Sequence, residues 1–220
     1  EMCIRDSPEA LRFIEVARHP DRVWHLDAEG LAQLDWTEAG VRRAIGGRDN
    51  RARAIECFEG LLGSPHIDLF ALARDWFEAI FESKRPDDLA ALKSAIVRVR
   101  DAETPDEDEP LVEATCDFYD ALVRTWLDGL NPPLAEVAQT LATQVYHLQR
   151  MRVPRREERD RLMSWVLQSQ ATWSTDNDEV VRLCNASLAL KERHGDLAGQ
   201  ALTKGVLANH YLFKLSLIHI

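Results

Sequence analysis

The stretch DNDEVVRLCNASLALKERHGDLAGQALTKGVLANHYLF, residues 176–213, decides the fold. Its apolar residues recur at three and four positions, the period of an amphipathic helix. Asp176 and Glu179 have capping-box spacing, so a helix is expected over 177–193. His194 falls at that helix's C-terminus, where partial positive charge is favoured. Gly195-Asp196 is a tight break, and a second helix is expected over 197–213. Ala201, Gly205 and Ala208 share a face of this second helix. Small side chains let backbones approach closely, so Ala208 is expected at the close crossing of the two helices.

Working outward, the same periodicity continues. Residues 133–151 carry the clearest stripe, Leu134, Val137, Ala138, Leu141, Val145 and Leu148. Pro154 opens a helix ending near Trp173, and 111–129 place Leu111, Thr115, Phe118, Leu122 and Trp126 on one face. Pro86 opens a helix over 87–102. Further upstream, helices are expected from Pro8 to before His19-Pro20, from Asp27, from Thr37 to Gly46-Gly47, from Asp49 to 62, and over 66–83. The last is apolar on most sides (Leu69, Phe70, Leu72, Ala73, Trp76, Phe77, Ile80, Phe81) and belongs in a core. Short links beyond residue 86 force antiparallel neighbours.

Ser187-Leu188-Ala189-Leu190-Lys191-Glu192-Arg193-His194-Gly195-Asp196-Leu197-Ala198-Gly199-Gln200-Ala201 resembles the tetratricopeptide repeat, in the longer variant of bacterial signalling proteins. The resemblance covers 176–213. A shift of 42 overlays Leu141 on Leu183 and Leu148 on Leu190, although 133–173 has Arg152-Val153-Pro154 in place of Gly-Asp. Residues 8–129 match no repeat consensus. The resemblance implies helical hairpins stacked as an α-solenoid, binding a protein or peptide on a surface lined by the first helix of each hairpin. The polar positions it nominates are Arg182, Asn185 and Glu192 in one hairpin and Gln144 and Gln149 in the preceding one.

The two ends read differently. Met2-Cys3-Ile4-Arg5-Asp6-Ser7 can be encoded by ATG TGT ATA AGA GAC AG, whose reverse complement encodes Leu-Ser-Leu-Ile-His-Ile, the residues at 215–220. That string resembles the transposon-end adapter of fragmentation sequencing libraries. Residues 1–7 and 215–220 are therefore expected to be adapter-derived, and the remainder a fragment of a larger bacterial protein.

The chain of 220 residues carries 27 Lys and Arg against 37 Asp and Glu, a net charge of −10. Such acidity opposes a phosphate-backbone partner, and no apolar run reaches the roughly 18 residues of a membrane span. Cys57, Cys116 and Cys184 are widely spaced and read as buried small hydrophobes in a reducing compartment. No P-loop, dinucleotide-binding, nucleophile-elbow or zinc-protease motif is present. His19, His25, His66, His147, His194 and His210 form no recognised metal spacing. The acid pairs Glu56/Glu59, Glu78/Glu82 and Asp117/Asp120 read as solvated helix faces rather than as acid–base or metal sites. Trp24, Trp36, Trp76, Trp126, Trp165 and Trp173 read mainly as packing residues. Asp101 to Glu109 holds six acids, and Arg150 to Arg161 six arginines. These runs are either solvated turns or partner-recruiting surfaces, with a contact between them a third alternative.

The expectation is an all-α chain of antiparallel helical hairpins, tetratricopeptide-like over 110–214 and less regular over 8–102. It is expected to be cytoplasmic, not an enzyme, without cofactor or metal, and to bind neither nucleic acid nor membrane. Its expected role is a protein-interaction scaffold or sensor. The alternative is a regulatory helical arm of a multidomain signalling NTPase or protease-like effector whose catalytic domain lies outside this sequence. An uncapped last hairpin, with Leu202, Val206, Tyr211, Leu212 and Phe213, is expected to self-associate.

Overall fold

The computed structural model describes residues 8–19, 21, 25–82, 86–127 and 134–218. Among these there are ten helices and no strand, and the chain divides into two compact units, Glu1–Pro105 and Asp106–Ile220. The first unit holds α1 (Pro8–Ala17), α2 (Ala28–Ile45), α3 (Arg48–Gly60), α4 (Leu69–Phe81) and α5 (Pro86–Arg100). The second holds α6 (Glu109–Leu127), α7 (Leu134–Arg150), α8 (Arg156–Trp173), α9 (Asn177–Arg193) and α10 (Leu197–Ile218). Within each unit every helix packs on its successor. In the second, α8 also touches both α6 and α10. Residues 1–7 and the side chains of Trp126 and Phe213 lie outside the described residues, as does Trp24.

Local chemistry sets the helix ends. The Asp27 carboxylate caps α2 by accepting from Gly30 N at 2.8 Å, and Asp68 caps α4 through Ala71 N at 2.7 Å. Gly46 and Gly47 have φ of 74° and 80°, which stops α2 and turns the chain into α3. Three sequence expectations change here. Thr37 starts no helix: its hydroxyl donates to Gln33 O at 2.7 Å, a bond made inside a helix, so α2 runs on unbroken. Asp49 does not cap α3 either, because Gly47 is the cap and Asp49 lies in the first turn. Asp176 caps α9 through Asp178 N and Glu179 N, but the reciprocal half of the capping box is not made. Glu179 instead accepts from Ser174 Oγ at 3.0 Å.

The first unit centres on α4. Phe70, Leu72, Ala73, Trp76, Phe77 and Ile80 are all buried, as the all-round apolar pattern requires. Trp36 meets Phe58 edge to face at 6.0 Å, and Arg98 lies over the Trp76 ring at 5.4 Å. A smaller cluster of Ala10, Ile14 and Val41 joins α1 to α2. Beside it sits Glu38, a buried carboxylate that accepts from Arg42 Nε at 2.6 Å and pairs with Arg18 at 2.7 Å. Burial pushes its carboxyl up, but the Arg42 hydrogen bond and the Arg18 and Arg42 charges outweigh that and leave it below the ordinary range. Arg43 plays the inverse part between α2 and α4, held by Glu78 at 2.9 Å and Glu82 at 2.7 Å.

In the second unit, α9 ends in a Schellman turn. Asp196 N donates to Lys191 O at 2.9 Å, Gly195 N to Glu192 O at 3.2 Å, and Gly195 has φ of 67°. Asp196 then caps α10 through Gly199 N at 2.8 Å. The expectation for Ala208 is corrected: Ala201, Gly205 and Ala208 are exposed, and Thr203, near the opposite side of α10, is buried against the unit. The anchor of α10 is therefore polar. Cys57, Cys116 and Cys184 are buried and form no disulfide.

Glu38→Ala should show how much the charge hub matters. It leaves Arg42 without a carboxylate and Arg18 with Asp35 alone, a loss of about 1–3 kcal/mol for partly desolvated partners. Urea unfolding at pH 7 measures it, and a cost below 0.5 kcal/mol, the level of an ordinary surface substitution, would show the hub to be ornamental.

Candidate groove between α7 and α9

The apolar stripe of α7 buries Val137, Leu141, Val145 and Leu148. On α9, Val180, Leu183, Cys184, Ser187, Leu190 and Lys191 are buried. Between the two helices, α8 forms a floor with Met163, Leu167 and Gln170. Ala142 on α7 and Ala186 and Ala189 on α9 are too short to meet across the gap, which leaves a cavity of about 460 Å³. Its walls are apolar at Val145, Leu183 and Leu190, and its polar rim comprises Tyr146, Gln149, Glu179 and Arg182.

The rim is partly organised. Arg150 Nη1 donates to the Tyr146 hydroxyl at 2.8 Å and lies 5.1 Å over its ring. Glu179 Oε1 accepts from Gln170 Nε2 and from Arg182 Nη2, each at 3.5 Å. Arg182 is well exposed and only loosely paired, so it retains donors for a ligand. Of the positions nominated from sequence, Arg182 and Gln149 line this groove. Asn185 and Glu192 are exposed on α9 but line none of the described cavities. Gln144 faces a second cavity of about 590 Å³ between α6 and α7, shared with Asp117, Asp120, Arg124 and His147.

The wall helix α9 is fixed from behind by an unusual group. Lys191 is 1% exposed and has no carboxylate within ion-pair reach among the described residues. Its Nζ donates to Gln168 Oε1 at 2.5 Å, Thr203 Oγ1 at 2.9 Å and Gly199 O at 3.3 Å, and lies 4.1 Å over the Trp165 ring. Burial, partly countered by Asp196, lowers its pKa to about 8. Ser187 Oγ adds a buried bond to Ser164 O at 2.7 Å. Sequence reasoning missed Lys191. The available signal was its phase: Val180, Cys184, Ser187 and Lys191 follow one another at three and four on one face.

The acid pairs sit in ion pairs. Glu59 pairs with Arg98, Glu56 with Arg53 at 2.8 Å, and Asp120 with Arg124 at 2.5 Å. Among the described residues, no group of three His, Cys, Asp or Glu could hold a metal ion, and no helix is long and apolar enough to cross a membrane. Compared with protein-family models, with curated proteins and with solved structures, the chain matches none.

The buried amine makes stability depend on alkaline pH. Its folded pKa of about 8 lies below the ordinary 10.5, so between these values the unfolded chain binds more protons and stability rises with pH. The gain should approach ~3 kcal/mol by pH 10.5, at 1.36 kcal/mol per unit. Urea unfolding of wild type and Lys191→Met at pH 7.5 and 10.5 isolates it: wild type should gain on the variant by that amount. Equal responses would mean that the amine is not desolvated.

Proposed function

We propose that the second unit is a short tetratricopeptide-like solenoid that binds a peptide segment of a protein partner in the groove between α7 and α9, as a scaffold or sensor does. The groove itself carries this reading. It is concave and apolar on its walls and floor, and a few polar groups lie at its rim, the pattern of sites that seat an apolar side chain and orient what bears it. The contacts of α8 with both α6 and α10 support a layered stack. The preferred ligand is a segment that lodges an apolar side chain over Leu167 and Leu183 and offers a carboxylate or carbonyl to Arg182.

Ala189 lines the groove yet is exposed, so Ala189→Trp fills the site without entering the core. Peptides selected by display on the wild-type protein should lose at least roughly tenfold in affinity on the variant, about 1.4 kcal/mol. Fluorescence polarisation would read this, with an unchanged melting temperature as control. Failure to enrich any peptide, or equal binding by the variant, would remove the groove as the site.

A second contact follows from α10, and we infer that it joins two copies of the chain. Leu202 is 55% and Leu212 64% exposed; Leu212 lies in line with the exposed Ala201, Gly205 and Ala208, and Leu202 borders that line. Large side chains flanking small ones suit close packing of two helices and removal of the leucines from water. Sedimentation velocity should show concentration-dependent dimers that Leu202→Glu with Leu212→Glu converts to monomers. A wild-type protein monomeric at high concentration would overturn this.

A further inference from the structure

The elbow between α7 and α8 contains a cavity of about 670 Å³ lined by Met151, Arg152, Val153, Pro154, Arg156 and Arg159. Three of its six lining residues are arginines. The elbow is held firmly: Val153 is buried, Arg159 Nη1 donates to Met151 O at 3.2 Å, and Arg156 N donates to Pro154 O at 3.0 Å. Arg155 Nε pairs with Asp108 Oδ1 at 3.0 Å, which is the contact between the acidic and basic runs left open by the sequence.

Most of the charge here is already committed. Arg159 is paired with Asp160 at 2.7 Å, Arg161 with Glu157 at 2.6 Å, and Arg150 bonds to Tyr146. The exceptions are Arg152 and Arg156: both are exposed and line the cavity, and neither guanidinium has a hydrogen bond or ion pair among the described residues. In a chain with ten more acids than bases, two guanidiniums left uncommitted on one concave, braced surface are conspicuous.

We propose that this elbow is an oxyanion site that takes the dianionic phosphoryl group of a phosphate monoester, gripped by Arg152 and Arg156 with Arg159 at its base. Guanidinium forks match phosphate oxygens in geometry and charge. A pre-formed cavity also reduces the ordering cost of binding. The site is separate from the groove and does not depend on the groove's reading.

The test is a ¹H–¹⁵N NMR titration at low ionic strength, following the arginine Nε–H and backbone signals. Inorganic phosphate, N-acetylphosphoserine amide and adenosine 5′-monophosphate are added in separate arms, with N-acetylserine amide and acetate as controls. Saturable shifts of Arg152 and Arg156 are expected with the phosphates, at dissociation constants on the order of millimolar. Binding should weaken roughly tenfold in Arg152→Gln or Arg156→Gln and vanish in the double variant. Both residues are exposed, so the variants should fold, and their backbone spectra report it. Equal affinity in the three phosphate arms means that the site reads the phosphoryl group alone. Tighter binding of one ester assigns a peptide-borne or nucleotide-borne source. No saturation by any phosphate, equal binding of acetate, or binding unaffected by the double variant would overturn the proposal.

Discussion

The ammonium group of Lys191, enclosed by Trp165, Gln168, Gly199 and Thr203, ties three helices of the second unit at one point. A buried cation without a carboxylate tolerates few arrangements, because each lost donor bond leaves a desolvated charge exposed to low dielectric. The face of α10 that meets α9 is consequently chosen by Thr203 rather than by apolar side chains. Once Thr203 points inward, Ala201, Gly205 and Ala208 must point outward. The same tie holds the wall of α9 that carries Ala186 and Ala189, so the width of the groove depends on it.

The first unit uses polar groups differently. There the centre is hydrophobic, built on α4, and the buried charges act as couplers at its margins. Glu38 gathers Arg18, just past the end of α1, and Arg42 of α2. Arg43 gathers Glu78 of α4 and Glu82 at its C-terminal cap. Glu78 feels burial more strongly than it feels Arg43, and its carboxyl is pushed above the ordinary range. Glu38, with two arginines bonded to it, is held below that range. Two carboxylates in similar frames thus move in opposite directions according to how many cations they share.

Most helices and their approximate extents were readable because apolar spacing and the breakers Pro, Gly and Asp act locally, but one helix, Ala28–Ile45, was read as two. The all-round apolar pattern of 69–81 correctly marked a core helix. Thr37 misled because threonine serves a cap or a back-bonded helical position equally well, and only the surrounding packing chooses between them. Arg182 and Gln149 were legible as polar positions on the first helix of a hairpin. Asn185 and Glu192 share that polarity but point away from the groove, a difference of rotation about the helix that composition does not carry. The groove was not legible: it comes from the absence of volume at Ala142, Ala186 and Ala189, and absence matters only when the facing helix is known. Lys191 was hidden because lysine near a helix end ordinarily snorkels to water.

The turn at Gly195 and Gly199 has a genetic consequence. Gly195 needs a positive φ that other L-residues resist. At Gly199 an added Cβ would stand 2.0 Å from the Asp196 carboxylate that caps α10. Two glycines four residues apart thus resist replacement for unrelated reasons, the second because a side chain there would push aside the Asp196 carboxylate and its cap. Gly195 is itself exposed, yet under selection this short surface segment should accept as little variation as a hydrophobic interior, and drifting copies of the gene should keep Gly-Asp-x-x-Gly longer than they keep many of the residues that surround it.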